Sequence, residues 1–307
     1  MAPPLTLADL GETAVVDRLV RLLPATSPSV LTGPGDDCAV IQNIPNEFLT
    51  LLKADSVVEG VHFLAGEKMH RVGWKALCRA VSDIAAMGGR PLHAVIAMAA
   101  KAETPWQQLE DFYSGIVSAA ETYHLTIVGG ETVKTSGPFV CSVFLTGTVA
   151  PQHCILRSGG RPGDVLLVTG RLGGSLVSGR HLDFTPRLEE GQWLAKHEGT
   201  HAMMDLSDGL AADAPRLAIA SMCGLTIDVE LIPRNENCEV EQAVGDGEDF
   251  ELLAAVEASR VPALLCEWNA TFPQLSLSVV GRLTELAEGF HPVEIFKNRG
   301  YDHFQQS

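Results

Sequence analysis

Residues 71–91 read "RVGWKALCRAVSDIAAMGGRP". Trp74, Leu77, Cys78, Val81, Ile84 and Ala85 recur at three- and four-residue spacing, which predicts a helix over 71–87. Gly88, Gly89 and Pro91 stop it. Asp83 falls inside the apolar run, where an unpaired carboxylate is costly to bury. Either a basic side chain or a metal ion must meet it.

Working outward, strand-like and helix-like segments alternate. Residues 47–52, 93–99, 125–130 and 139–149 are continuously apolar or β-branched and bounded by turn residues, so they are expected to be strands. Residues 106–123 repeat the helical period. A Gly/Pro-rich passage, "LRSGGRPGD" (156–164), separates this half from the next. Beyond it come a strand (165–170), a polar stretch (180–200), a turn running into a helix (204–224) and strands at 225–231, 250–256 and 275–283. The pattern predicts an α/β (α+β) fold. The 307 residues suit two domains, taken as 1–150 and 151–307.

The formal net charge is −16. Such a surface repels nucleic acid and anionic lipid, so a phosphate-bearing partner needs cations between it and the protein. Seven cysteines, odd in number, widely spaced and without a CxxC, suggest reduced thiols instead of disulfides or zinc. The N-terminal residues lack a signal-peptide pattern, and the stretch 94–100 is too short to span a bilayer. A soluble, cytoplasmic protein is expected.

Acids recur beside Gly, Ser or Ala: "GDD" (35–37), "ADSVVEG" (54–60), "VSDIAAMGG" (81–89), "GGET" (129–132), "DLSDG" (205–209) and "GDGEDFE" (245–251). Singly, each reads as turn chemistry. Asp205 and Asp208 suit capping the helix that follows, or aiming two carboxylates at one ion. Six such places exceed what turns require, and Mg²⁺ takes oxygen ligands together with substrate phosphates. Side chains alternate along extended backbone, so Asp36 and Asp37 cannot share a pocket; Asp37 is taken as the ligand and Asp36 as a structural acid. No P-loop, protein-kinase signature, nucleophile elbow or HExxH is present. By themselves, His62 reads as a packed or surface residue and Arg157 as an exposed one.

"GPGDDCAV", "ADSVVEGVHF", "WKALCRAVSDIAAMGGRP", "IVGGET", "LRSGGRPGDVLLVTG", "MDLSDGLAAD", "GEDFELL" and "GYDHF" occur here in one order, from Gly11 to Phe304. That order resembles the thiamine-monophosphate kinase family, within the aminoimidazole-ribonucleotide synthetase-like superfamily of ATP-dependent enzymes. The resemblance implies a two-domain fold whose N-terminal sheets pair across a homodimer, with ATP and several Mg²⁺ ions between the domains. It implies Mg²⁺ ligands at Asp37, Asp55, Asp83, Glu131, Asp205 and Asp208. Gly130, Glu131, Arg157 and Ser207 then face ATP, and His62, Glu248 and Tyr301 face thiamine monophosphate. The implied reaction makes thiamine diphosphate.

The sequence departs from the family pattern in four places. Lys53 and Ala54 stand where Ser and Thr are common, Glu131 replaces an Asp, two extra residues follow Lys134, and Asp246 replaces a Gly. The alternative is a non-catalytic or differently specific nucleotide-binding member of the superfamily.

Overall fold

The computed structural model describes residues 30–32, 36–42, 47–286, 290–291 and 301. The Gly-Pro-Gly turn at 33–35, the match at Gly11 and most of "GYDHF" lie outside them. Two six-stranded sheets organise the chain. The first contains β1 (Val30–Thr32), β2 (Ala39–Gln42), β3 (Leu49–Val58), β4 (Arg90–Ala100), β5 (Thr126–Lys134) and β6 (Val140–Val149), in the order β1-β2-β3-β6-β4-β5. Its pairings are antiparallel except β4 with β5. Along β3 side chains alternate: Leu49, Leu51 and Val57 are buried while Leu52 is exposed. The strand runs six residues beyond the expected 47–52, because the acidic "ADS" remains paired with β6 through Asp55↔Val143.

Two helices cover the buried face, α1 (Met69–Ala86) and α2 (Trp106–Thr122), close to the expected spans. Their backbones touch. A Cβ on Gly73 would stand 1.9 Å from the Phe112 carbonyl oxygen, and one on Gly115 1.8 Å from that of His70. Glycine is required at both positions. At the end of α1, Gly88 adopts φ +68° and the amides of Gly88 and Gly89 donate to the carbonyls of Ala85 and Ile84.

The second sheet holds β7 (Val165–Thr169), β8 (Thr200–Leu206), β9 (Gly224–Ile227), β10 (Glu251–Val256), β11 (Leu277–Thr284) and β12 (Phe290–His291), ordered β12-β9-β11-β7-β10-β8. With it go α3 (Leu188–Lys196), α4 (Leu210–Ala220), α5 (Val240–Gly245) and α6 (Val261–Thr271). Three expectations need correction. The polar stretch 180–200 contains α3, whose Gly191, Leu194 and Ala195 are buried beneath its charged residues. The strand expected over 225–231 ends at Ile227, where the Asp228 carboxylate accepts the Glu230 amide and starts a 3₁₀ turn. Helices α5 and α6 lie where none was read.

Helix α1 is buried on nearly every side. It packs on β3 and β6 of the first sheet and on β8 and α3 of the second half. Its polar residues therefore face the junction between the two halves.

Candidate functional site

Lys75, Arg79, Ser82 and Asp83 lie at i, i+4, i+7 and i+8 of α1, which aligns them on one helical face. All but Arg79 are buried, and each reaches a residue distant in sequence. Two charged groups result, and they differ in balance.

The first is acidic. Carboxylate oxygens of Asp37, Asp83 and Asp205 lie within 4.8 Å of one another. The three residues are 3%, 5% and 3% exposed. Asp37 takes a two-pronged bond from Arg157, with Nε 3.0 Å and Nη2 2.5 Å from its oxygens. Asp83 accepts Lys53 Nζ at 2.7 Å, and Asp205 accepts the Ser82 hydroxyl at 2.7 Å. Two cations thus face three carboxylates. Burial pushes the Asp83 carboxyl well above its ordinary range, with Lys53 opposing. Burial, together with the neighbouring Asp37, lifts Asp205 to about 7. Asp36 stands apart and accepts the amides of Asp37 and Arg157.

Would a hard cation fit? The donors are all carboxylate oxygens, they converge from β8, α1 and the segment before β2, and their mutual repulsion lacks one compensating charge. That donor set suits Mg²⁺.

The second group is balanced. Glu248 sits at φ 58°, an uncommon conformation for a side-chain-bearing residue. It contacts Lys75, accepts Arg79 Nη1 at 2.8 Å and lies 3.8 Å from His181. Burial works to raise its pKa, yet nearby His181 and the charges of Arg79 and Lys75 hold it at about 2. Lys75 is fully buried and also donates to the His62 carbonyl at 2.6 Å. Its burial, against the pull of Glu248, brings the ammonium down to about 8. Arg79 Nη2 continues to Asp55 at 3.1 Å. Burial opposes ionisation of Asp55, but Arg79 and Lys53 outweigh it and lower its pKa.

His62, Arg79, Ser207, Asp208, Glu248 and Tyr301 line one pocket. It adjoins a cleft of about 360 Å³ beside Asp55, with His62 and Arg79 common to both. The structure thus gathers five residues singled out from separate stretches of sequence. Ser207 and Asp208 form a tight loop after β8, held by the buried Asp213, whose Oδ2 accepts both their amides at 3.1 and 3.0 Å. Asp208 also pairs with Arg216, and its carbonyl accepts the Tyr301 amide at 3.1 Å.

Glu131 does not join the acidic group. It is exposed on edge strand β5, where it accepts the Thr132 amide at 2.8 Å. Gly130 has a packing reason to be glycine, since a Cβ there would lie 2.2 Å from the Ile96 carbonyl oxygen. Asp246, unusual in the motif, accepts the Gly174 amide at 2.9 Å. Sequence reasoning missed Lys75, Arg79, His181 and Asp213. The signal for the first two was their four-residue spacing to each other and to Asp83 on one helix.

Comparison with known proteins gives concordant likenesses. The model of the AIR synthase related protein N-terminal domain matches residues 35–149. A thiamine-monophosphate kinase of Rhodopirellula baltica is 35% identical across 83% of this chain and 85% of its own length. The Salmonella typhimurium protein of the same name is 30% identical across 96% and 98%. Among solved structures, AaThiL complexed with AMPPCP and TMP superposes with a TM-score of 0.83 at 31% identity, covering 98% of this chain and 99% of that one.

Proposed function

The chain belongs to the thiamine-monophosphate kinase family, and from that premise we propose that its cleft moves the γ-phosphoryl group of ATP onto the phosphate of thiamine monophosphate. One observation carries the reading: helix α1 joins an acidic group short of one cation to a pocket holding a firmly ionised Glu248.

The acceptor oxygen attacks the γ-phosphorus, the bond from that phosphorus to the β–γ bridging oxygen breaks, and thiamine diphosphate and ADP leave. A phosphate monoester with a second pKa of about 6 is largely dianionic at neutral pH, so no general base is needed. The remaining obstacle is repulsion between two anions. Mg²⁺, when bound, supplies the positive charge that neutralises the phosphates.

Asp37, Asp83 and Asp205 are the core of the proposed Mg²⁺ set, supported by their convergence. Asp55 and Asp208 extend it from the adjoining cleft and pocket. The place of Glu131, and of Gly130 on the nucleotide, rests on the family resemblance alone. Arg157 and Ser207 are proposed to face ATP, Arg157 being anchored by Asp37 and Ser207 by Asp213. His62, Glu248 and Tyr301 are proposed to face the acceptor, which is supported by their lining one pocket.

A homodimer is supported by apolar residues on the outer face of the first sheet. Leu52, Val95, Val128 and Phe144 are exposed, and Phe144 stands between Ala54 and Val95 in the strand register. The halves 1–150 and 151–307 are proposed as the two units of this fold, one sheet in each. A cytoplasmic location is supported by seven unbridged cysteines. Among the described residues, no helix is long and apolar enough to cross a membrane. The second reading, a nucleotide-binding relative without turnover, draws on the Lys53–Asp83 pair. Incubation with ATP, Mg²⁺ and thiamine monophosphate, followed by chromatography, tests both. Thiamine diphosphate is expected; bound ATP without product at saturating metal favours the second.

A further inference from the structure

We propose that the Lys53 ammonium is a tethered cation of the acidic group, holding a position that a divalent ion would otherwise take, so that this cleft works with one ion fewer than its carboxylates would hold without it. The inference rests on the reading of that group as a metal site. It deepens that reading by assigning a role to a residue of this chain.

Lys53 lies on β3, opposite Leu145. Its neighbours Leu52 and Ala54 are exposed on the outer face, so the lysine points inward, beneath α1. An ammonium in that position is costly unless paired. Its partner is Asp83 Oδ1 at 2.7 Å, an atom of the residue that shares a 4.8 Å neighbourhood with Asp37 and Asp205. Arg157 already occupies Asp37. With all three carboxylates ionised, as ligands of a metal ion must be, the group carries one uncompensated negative charge while Lys53 is in place and two without it. Lysine is a compact point charge and suits an ion's position better than a planar guanidinium would. The second negative charge is what would bind another divalent ion.

The test counts Mn²⁺ bound to the full-length protein by electron paramagnetic resonance, with folding checked by circular dichroism. Lys53→Ser and the shape-conserving Lys53→Met should each bind one more Mn²⁺ per chain than the wild type, at least about tenfold tighter than any further wild-type site. Lys53→Arg, which keeps the charge, should match the wild-type count. In the wild type itself, the ¹⁵N resonance of Lys53 Nζ should keep its ion-paired shift throughout a Mg²⁺ titration. Equal counts and affinities in all four proteins overturn the inference and leave the metal reading standing. Loss of the ion-paired shift on adding Mg²⁺, meaning that metal displaces the ammonium, overturns it as well. Absence of Mn²⁺ from every protein overturns both the inference and the metal reading beneath it.

Discussion

The two charged groups on α1 are built from the same materials and behave oppositely. At Glu248, cations surround one carboxylate and hold it at about 2; at Asp205, burial, with Asp37 beside it, lifts the carboxyl to about 7. The first is electrically finished by the fold. The second is unfinished and stores repulsion that a divalent ion would relieve. On the proposed reading, a site that binds two anions can thus be acidic, provided that the proposed recognition pocket is balanced and the proposed transfer centre is not.

The sharpest attempt to break this contrast is Asp83→Asn. Turnover should fall by at least about 100-fold with the fold intact, as expected when electrostatic stabilisation of phosphoryl transfer is removed. Near-normal rates in a coupled assay would remove Asp83 from the transfer centre. Lys75→Met strikes the balanced group, leaving Glu248 without its buried partner; a loss of about 3 kcal/mol in urea unfolding is expected. Stability within 0.5 kcal/mol of wild type, roughly the scatter of a neutral surface change, would show that Arg79 suffices.

The contrast also has a pH signature, with opposite signs. The pKa of Glu248 is depressed on folding, so its contribution is present above about 4.5 and lost as pH falls through about 2. That of Asp205 is raised, so its contribution is present below 3.8 and lost as pH rises through about 7. In metal-free protein, Glu248→Gln should cost about 2 kcal/mol near neutrality and progressively less toward pH 2. Asp205→Asn should instead gain on the wild type between pH 4 and 8. Parallel profiles for the two variants would erase the distinction. Glu248→Gln should also raise KM for thiamine monophosphate about tenfold, more than for ATP, through a lost charged contact. The smallest effect is expected at Asp246→Gly, which forfeits the bond to the Gly174 amide; about 1 kcal/mol should disappear from the unfolding free energy.

Among the described residues, most strands and both helices of the first half were legible because period and punctuation agree there. Helix α3 was hidden because Glu189, Glu190, Gln192 and Lys196 mask a narrow buried stripe. Helix α6 was hidden for the opposite reason, since "VPALLCEW" is apolar enough to blur any period. Within the candidate site, Asp36 and Asp37 occupy different environments, although Asp37 sits in a bend before β2 instead of on extended strand. The cations that complete the pocket were not legible. Lys75 and Arg79 resemble the solvated face of an amphipathic helix, and only tertiary packing reveals that this face meets Glu248. Asp213 was invisible as a loop brace because its role is to accept amides from a turn five and six residues earlier.

The core beneath the first sheet is closed by Leu182, Phe184 and Phe250, all from beyond residue 150, while Ala86 of α1 belongs to a cluster in the second half. Each half therefore borrows part of its interior from the other. Cutting the chain at residue 150 would leave two fragments with open, sticky interiors. Although two sheets can be drawn, heat should melt the molecule in a single step, with calorimetric and van't Hoff enthalpies in agreement.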